Sequence, residues 1–144
     1  MMDEPLVLSI EHWDKMRVHV EECAPLEGCG LLAGNGRAVR EVFPILNEER
    51  SAVRFRMSPV QQLRAFDTIE QAGMELVGIF HSHPANQIDR STAGAAPSET
   101  DILEAAYPVV HLIWSRRADE WSARGFWIEN GRVTEVPLVV PTGQ

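Results

Sequence analysis

Residues 78–102 read GIFHSHPANQIDRSTAGAAPSETDI and combine three kinds of sequence in one segment. The segment begins as an apolar strand that carries His81 and His83 at its end. A loop rich in Ala, Ser, Gly and Asn follows from residue 85 to residue 97. Ser98 then has the character of a helix N-cap. The segment therefore predicts a buried strand, a long loop and a helix start in succession.

The two histidines lie two residues apart on the predicted strand. Side chains at this spacing point to the same face of a sheet, so His81 and His83 can both reach one metal ion. They come where the chain leaves the sheet, and binding sites often lie at such edges. Strand histidines that only hydrogen-bond within a core are the alternative interpretation.

Two carboxylates complete a candidate metal centre. Asp101 falls at the third helical position after Ser98, close to a capping box, so it can also serve only to stabilise the helix start. Glu27 begins the predicted strand EGCGLLAG and shares one face of it with Cys29. Cys29 is interpreted as a small buried filler rather than a ligand.

These residue types match the requirements of metal-assisted hydrolysis. His81, His83 and Asp101 supply three ligands for zinc and leave the fourth position to water. Zinc lowers the pKa of that water to about 7. Glu27 can take the proton and later deliver it to the leaving amine, and Ser98 can donate a hydrogen bond to the developing oxyanion.

Composition places the chain among soluble globular proteins. The length of 144 residues predicts a single domain, residues 1–144. A formal net charge of −8 argues against binding to nucleic acid or to an anionic membrane. Two cysteines without a CxxC pair, and no basic start followed by an apolar run, predict a cytoplasmic protein without a signal peptide.

The remaining elements are predicted from periodicity and turn residues. Helices are expected from Ser9 to about Cys23, from Ser58 to Gly73, and from Pro97 to about Ala106. The second helix should bury Val60, Leu63, Phe66 and Ile69. Strands are expected in PLVLSI, EGCGLLAG, AVREVFPILN, VRFRM, ELVGIFHSH and three closing segments, with turns at Asn35-Gly36 and Glu129-Asn130-Gly131. Hairpin-joined strands interspersed with helices favour an α/β (α+β) fold with a mixed sheet.

The order of the chemical residues resembles that of the JAMM (MPN+) metallopeptidases in their stand-alone prokaryotic form. The family pattern is an upstream Glu, then H-[ST]-H-P, then a Ser with an Asp three residues later. Glu27, the segment HSHP at 81–84, and Ser98 with Asp101 match it in order. The resemblance implies a cytidine deaminase-like MPN domain, with a mixed, curled sheet flanked by about three helices.

One departure from the family pattern concerns the loop after the histidines. The family usually places its serine eight residues after the second histidine, where this chain has Ser91, and the matching Asp position is Gly94, which cannot ligate. Ser98 and Asp101 restore the pattern if the loop has grown by seven residues. Asp89 is the rival third ligand.

The resemblance implies a zinc-dependent peptidase or isopeptidase that cleaves after the C-terminal Gly-Gly of a ubiquitin-like or sulfur-carrier protein. Two alternatives remain open: a non-catalytic MPN scaffold that binds partners, and a zinc amidase acting on a small-molecule amide. Deaminase chemistry is rejected because it needs H-x-E followed by P-C-x-x-C, and the sequence has no P-C-x-x-C. Several predicted strand edges leave a homodimer open.

Overall fold

The computed structural model describes residues 4–51, 55–84 and 108–141. These residues form one mixed eight-stranded sheet and two helices, in keeping with the predicted α+β class. The strands are β1 Leu6–Val7, β2 Cys29–Asn35, β3 Ala38–Ile45, β4 Glu75–His83, β5 Val110–Arg117, β6 Glu120–Glu129, β7 Arg132–Val136 and β8 Leu138–Val139; the helices are α1 Ile10–Cys23 and α2 Pro59–Gln71. The third predicted helix lies outside the described residues.

The sheet curls until its two edges meet. Its strand order is β7-β6-β5-β4-β2-β3-β1-β8, so β7 and β8 are the two ends of that order. Only Pro137 separates these strands in the sequence, and its carbonyl accepts a hydrogen bond of 2.9 Å from the N–H of Leu6. The third predicted closing strand is therefore divided at Pro137, a residue that cannot donate to a ladder.

The two helices cover opposite faces of the sheet. Met16 of α1 belongs to the core cluster that contains Phe80, whereas Ala65 of α2 belongs to the cluster that contains Ile79. Neighbouring residues on a strand point to opposite faces, so Ile79 and Phe80 separate the two layers. In the described ranges, neither helix is long and apolar enough to cross a membrane.

Local signals set the ends of α1. The Ser9 side chain accepts a hydrogen bond of 3.1 Å from the N–H of His12, and the His12 ring accepts one of 3.2 Å from the N–H of Ser9. This is a capping box with His in the place of the usual Glu or Gln. The helix ends at Cys23, two residues before Pro25. The predicted helix is confirmed.

The hairpin between β2 and β3 turns one residue later than predicted. Asn35 still pairs with Ala38, so the two central turn residues are Gly36 and Arg37. Gly36 has φ +62°, and Arg37 is not among the residues with positive φ. A positive φ at the first central position alone is the pattern of a type II′ turn, which favours glycine there.

The buried face of α2 differs from the predicted one. Val60 is 58% exposed and Leu63 is 70% exposed, while Ala65 and Ile69 are buried. Positions spaced by three drift about 60° around a helix at each step, so Val60 and Ile69 lie on opposite sides. The stripe was therefore wrong at its first two positions, although the helix, its Ser58 cap and its end before Gly73 are confirmed.

The predicted strand VRFRM is wrong over the part of it that the structure describes. Phe55 and Arg56 are not in a strand, and Met57 forms only an isolated bridge to Asn47. The N–H of Arg56 donates to the Asn47 side chain at 2.9 Å, and its carbonyl accepts from the N–H of Glu48 at 2.8 Å. The pairing of this segment is therefore limited to a short bridge, in which the N–H of Arg56 bonds a side chain.

Candidate active site

The histidine pair lies at the carboxyl end of the central strand β4. His81 is 2% exposed and His83 is 7% exposed. Alternation along the strand places both rings on the α2 face, and their Nε2 atoms lie 3.2 Å apart. β4 pairs with β2 on one side and with β5 on the other, so the strand that carries the pair is fixed along both edges.

An aromatic ring packs on the first histidine. The rings of Phe55 and His81 are stacked, with centroids 4.7 Å apart and planes inclined by 24°. Phe55 comes from the segment before α2, far from β4 in sequence. Its ring restricts the rotation of the His81 imidazole, which favours a fixed direction for the ring nitrogens.

Glu27 lies two residues before β2, at the end of that strand that pairs with the histidine end of β4. Cys29 pairs with His81, and the N–H of Ser82 donates to the carbonyl of Gly28 at 3.0 Å. The contact between the two strands thus extends one residue past the start of β2, to Gly28, and alternation places Glu27 on the same face as Cys29 and His81. The Glu27 side chain is 2% exposed.

Ser82 connects the two strands through its side chain as well. Its hydroxyl accepts a hydrogen bond of 2.8 Å from the N–H of Gly28, and both groups are buried. Ser82 therefore bonds the peptide next to Glu27 through both backbone and side chain. The middle residue of the HSHP segment holds the glutamate segment against the histidine strand.

The backbone N–H and carbonyl of Glu27 are hydrogen-bonded to residues that follow β3. Its N–H donates to the carbonyl of Ser51 at 2.7 Å. Its carbonyl accepts a hydrogen bond of 3.0 Å from the side-chain amide of Asn47, which is itself buried. Asn47 and Ser51 thus hold Glu27 on the β3 side. On the β4 side, Ser82 bonds its neighbour Gly28.

Cys29 lies in the core next to the histidine pair. Its thiol contacts the carbonyl of Ile45 at 3.5 Å, and burial raises the pKa of the thiol to about 12. The neutral thiol fits the expected role of buried filler. The carbonyl of Cys29 accepts a hydrogen bond of 3.1 Å from Nε2 of His19, and burial lowers the pKa of His19 below its usual value.

The remaining predicted site residues, Ser98, Asp101 and the rival ligand Asp89, lie outside the described residues, as does the loop from 85 to 97. Over the part of the chain that the structure describes, no group of three or more His, Cys, Asp or Glu side chains is placed to hold a metal ion. The described portion of the site is the histidine pair with Glu27.

Sequence reasoning missed three residues that hold this arrangement together: Ser82, Asn47 and Phe55. A signal for Ser82 was available, because alternation turns the residue between two same-face histidines towards the opposite layer. The contacts of Asn47 with Glu27 and of Phe55 with His81 carry no local signal, since these partners come from distant segments.

The fold is a curled mixed sheet with a helix on each face. A His-x-His pair lies at the end of a central strand, with a buried glutamate on the same face. Together these features define the JAB/MPN class of domains. The family described as prokaryotic homologs of the JAB domain matches residues 9–128. The chain belongs to this family.

Two curated relatives match nearly the whole chain. CysO-cysteine peptidase of Mycobacterium tuberculosis is 34% identical over 140 residues, which cover 94% of this chain and 90% of the relative. Desampylase of Pyrococcus furiosus is 34% identical over 133 residues, which cover 90% of this chain and 87% of the relative. The similarity covers at least 90% of this chain in both cases.

Solved structures share the fold. The solution structure of a Desulfitobacterium hafniense protein has a TM-score of 0.81 and 30% identity, and covers 95% of this chain and 93% of that chain. The crystal structure of a JAB/MPN domain protein from Archaeoglobus fulgidus has a TM-score of 0.55 and 20% identity, with 93% and 96% covered. The predicted MPN-type fold is confirmed.

Proposed function

We propose that this protein is a zinc-dependent peptidase that cleaves the amide bond after the C-terminal Gly-Gly of a ubiquitin-like or sulfur-carrier protein. The observation that carries the proposal is the buried pair His81 and His83, with Nε2 atoms 3.2 Å apart at the end of β4. The relatives named CysO-cysteine peptidase and Desampylase support a peptidase acting on such proteins.

The spacing of the histidine nitrogens fits a zinc ion. Two nitrogens that each lie about 2.0–2.1 Å from a tetrahedral zinc are about 3.3 Å from one another. The Nε2 atoms of His81 and His83 meet this requirement at 3.2 Å. Neutral imidazole is a preferred zinc ligand. Asp101 is the proposed third ligand, by its position in the sequence.

When bound, zinc would supply a Lewis acid that activates water for attack on an amide carbonyl. Glu27 is the proposed general base, which accepts a proton from water and returns it to the leaving amine. Its burial suits this role, because a water-poor site strengthens the interactions of a carboxylate with nearby protons. Ser98 is the proposed donor to the oxyanion.

We expect the substrate tail to reach the site without pairing with β4 as an added strand. Both edges of this strand are already paired, by β2 and by β5, so an extended peptide cannot add to β4 itself. We propose that the loop from residue 85 to residue 97 borders the groove for the tail. A Gly-Gly terminus suits a narrow groove because glycine brings no side chain.

The test is cleavage of carrier proteins fused through their Gly-Gly tail to a lysine, a cysteine or a short peptide, with mass spectrometry to locate the cut. The zinc-loaded protein should cut after the second glycine. Removal of metal by a chelator should abolish cleavage, and added zinc should restore it. Glu27→Gln should keep the metal and lose at least about a hundredfold in kcat.

Each alternative function gives a different outcome of this test. Hydrolysis of small amides without cleavage of any carrier would replace the proposal with a zinc amidase. Absence of both zinc and cleavage would replace it with a binding scaffold. Equal cleavage by the wild-type protein and Glu27→Gln would contradict the role of Glu27.

A further inference from the structure

The side chain of Asn47 joins three separate segments of the chain. Its amide nitrogen donates to the carbonyl of Glu27 at 3.0 Å. Its carbonyl oxygen accepts from the N–H of Glu49 at 3.0 Å and from the N–H of Arg56 at 2.9 Å. Asn47 is 7% exposed, and its bond to Glu27 is buried, so this bond is costly to lose.

Two of these segments reach the candidate site. Glu27 is the proposed general base, and Arg56 directly follows Phe55, whose ring stacks on His81. One amide side chain therefore fixes the peptide of Glu27 relative to the ring that packs on His81. Backbone strand pairing does not provide this link, because Phe55 and Arg56 lie outside the sheet.

The backbone of Glu27 depends on contacts other than the β2–β4 ladder. β2 begins at Cys29, and the bonds from β4 reach only as far as Gly28. The carbonyl of Glu27 points to the other side, where it accepts the hydrogen bond from Asn47. The direction of this peptide, and of the side chain attached to it, is thus set in part by Asn47.

We propose that Asn47 is a positioning residue that holds Glu27 in the geometry required for proton transfer. The catalytic part of this inference rests on the proposed peptidase function. Proton transfer requires a base within hydrogen-bond reach of its proton, and a displacement of about 1 Å can lower a rate about a hundredfold. Loss of the anchor should therefore affect the chemical step more than substrate binding.

Asn47→Asp removes the bond to Glu27, keeps an acceptor for the other two bonds, and also buries a negative charge. Aspartate has nearly the same shape and keeps an oxygen that accepts from Glu49 and Arg56. The donor to Glu27 is replaced by a second oxygen, which faces the Glu27 carbonyl. Asn35→Asp is the matched control, because the Asn35 amide donates to the carbonyl of Gly73 at 3.4 Å at the opposite end of β2.

The experiment measures kcat, KM, zinc content and amide exchange for the wild-type protein and both variants. For Asn47→Asp we expect kcat to fall by about ten- to a hundredfold, with KM within about twofold and zinc content unchanged. The Gly28 amide should exchange at least about tenfold faster, since the segment loses an anchor. Asn35→Asp should match the wild-type protein in all four quantities.

Unchanged kcat and unchanged Gly28 exchange in Asn47→Asp would overturn the proposal. Loss of zinc, or an equal fall of kcat in Asn35→Asp, would also overturn it. If Asn47→Asp does not fold, Asn47→Ser takes its place, since serine shortens the reach to Glu27 without burying a charge. If the wild-type protein cleaves nothing, the proposed function fails separately, and Gly28 exchange alone decides whether Asn47 anchors this segment.

Discussion

Among single residues, Ser82 has a different role from the two histidines that flank it in the HSH segment. The flanking histidines face the α2 side, while the Ser82 hydroxyl accepts a hydrogen bond from the N–H of Gly28. A residue with a hydroxyl at this position satisfies a buried backbone donor and holds the Glu27 segment in place. This gives a physical reason for Ser or Thr between the histidines of the family pattern.

Ser82→Ala should lower the free energy of unfolding by about 1–3 kcal/mol, because the N–H of Gly28 would be left buried without its acceptor. Ser82→Thr keeps the hydroxyl and should lose less. Urea unfolding of both variants measures the difference. An alanine variant as stable as the wild-type protein, or less damaged than the threonine variant, would show that this bond contributes little.

The stability of the fold at acid pH should depend in part on His19. Burial lowers the pKa of His19, so the folded protein binds this proton more weakly than the unfolded chain does. The contribution of neutral His19 to stability is therefore present above the unfolded pKa of 6.5 and is lost as the pH falls through the lower folded pKa.

His19→Gln removes this titration while the amide can still donate to the carbonyl of Cys29. Unfolding free energies measured from pH 7.5 to 5 should fall more steeply for the wild-type protein than for His19→Gln. Parallel curves for the two proteins would contradict the assignment of this acid sensitivity to His19.

Among the elements, α2 shows why a regular apolar spacing can mislead. Its buried positions are Ala65 and Ile69, whereas Val60 and Leu63 face solvent. Ile69→Ala should cost about 2–5 kcal/mol of unfolding free energy, because it empties a packed site. Leu63→Ala should change it by no more than about 0.5 kcal/mol. Chemical denaturation of the two variants compares them, and equal losses would contradict the observed orientation of the helix.

The elements that were predicted correctly carry their signals locally. The α1 helix has a serine cap at one end and a proline after the other, and β4 is almost continuously apolar. The predicted strand VRFRM was wrong because alternation alone does not supply a full strand partner: Met57 forms only an isolated bridge, and the N–H of Arg56 donates to the Asn47 side chain. The hairpin turn moved by one residue because strand pairing, and not the Asn-Gly pair, set its position.

At the scale of the whole molecule, the antiparallel pairing of β2 and β4 creates the described part of the site. The chain enters β2 next to the point where it leaves β4, so the Glu27 segment and the histidine strand, distant in sequence, lie together at Cys29 and His81. Resemblance to a family grouped Glu27 with the histidines, whereas periodicity alone did not. Ser98 and Asp101 stay predictions. The roles of Asn47 and Phe55 depend on contacts between segments that no local pattern encodes.

A zinc centre built on His81 and His83 predicts a defined zinc content per chain. The purified wild-type protein should hold about one zinc per chain, and His81→Ala and Asp101→Ala should each hold less than about a tenth of that. Asp89→Ala is the control and should keep its metal. Full zinc retention in His81→Ala would contradict the site, and loss in Asp89→Ala with retention in Asp101→Ala would assign the third ligand to Asp89.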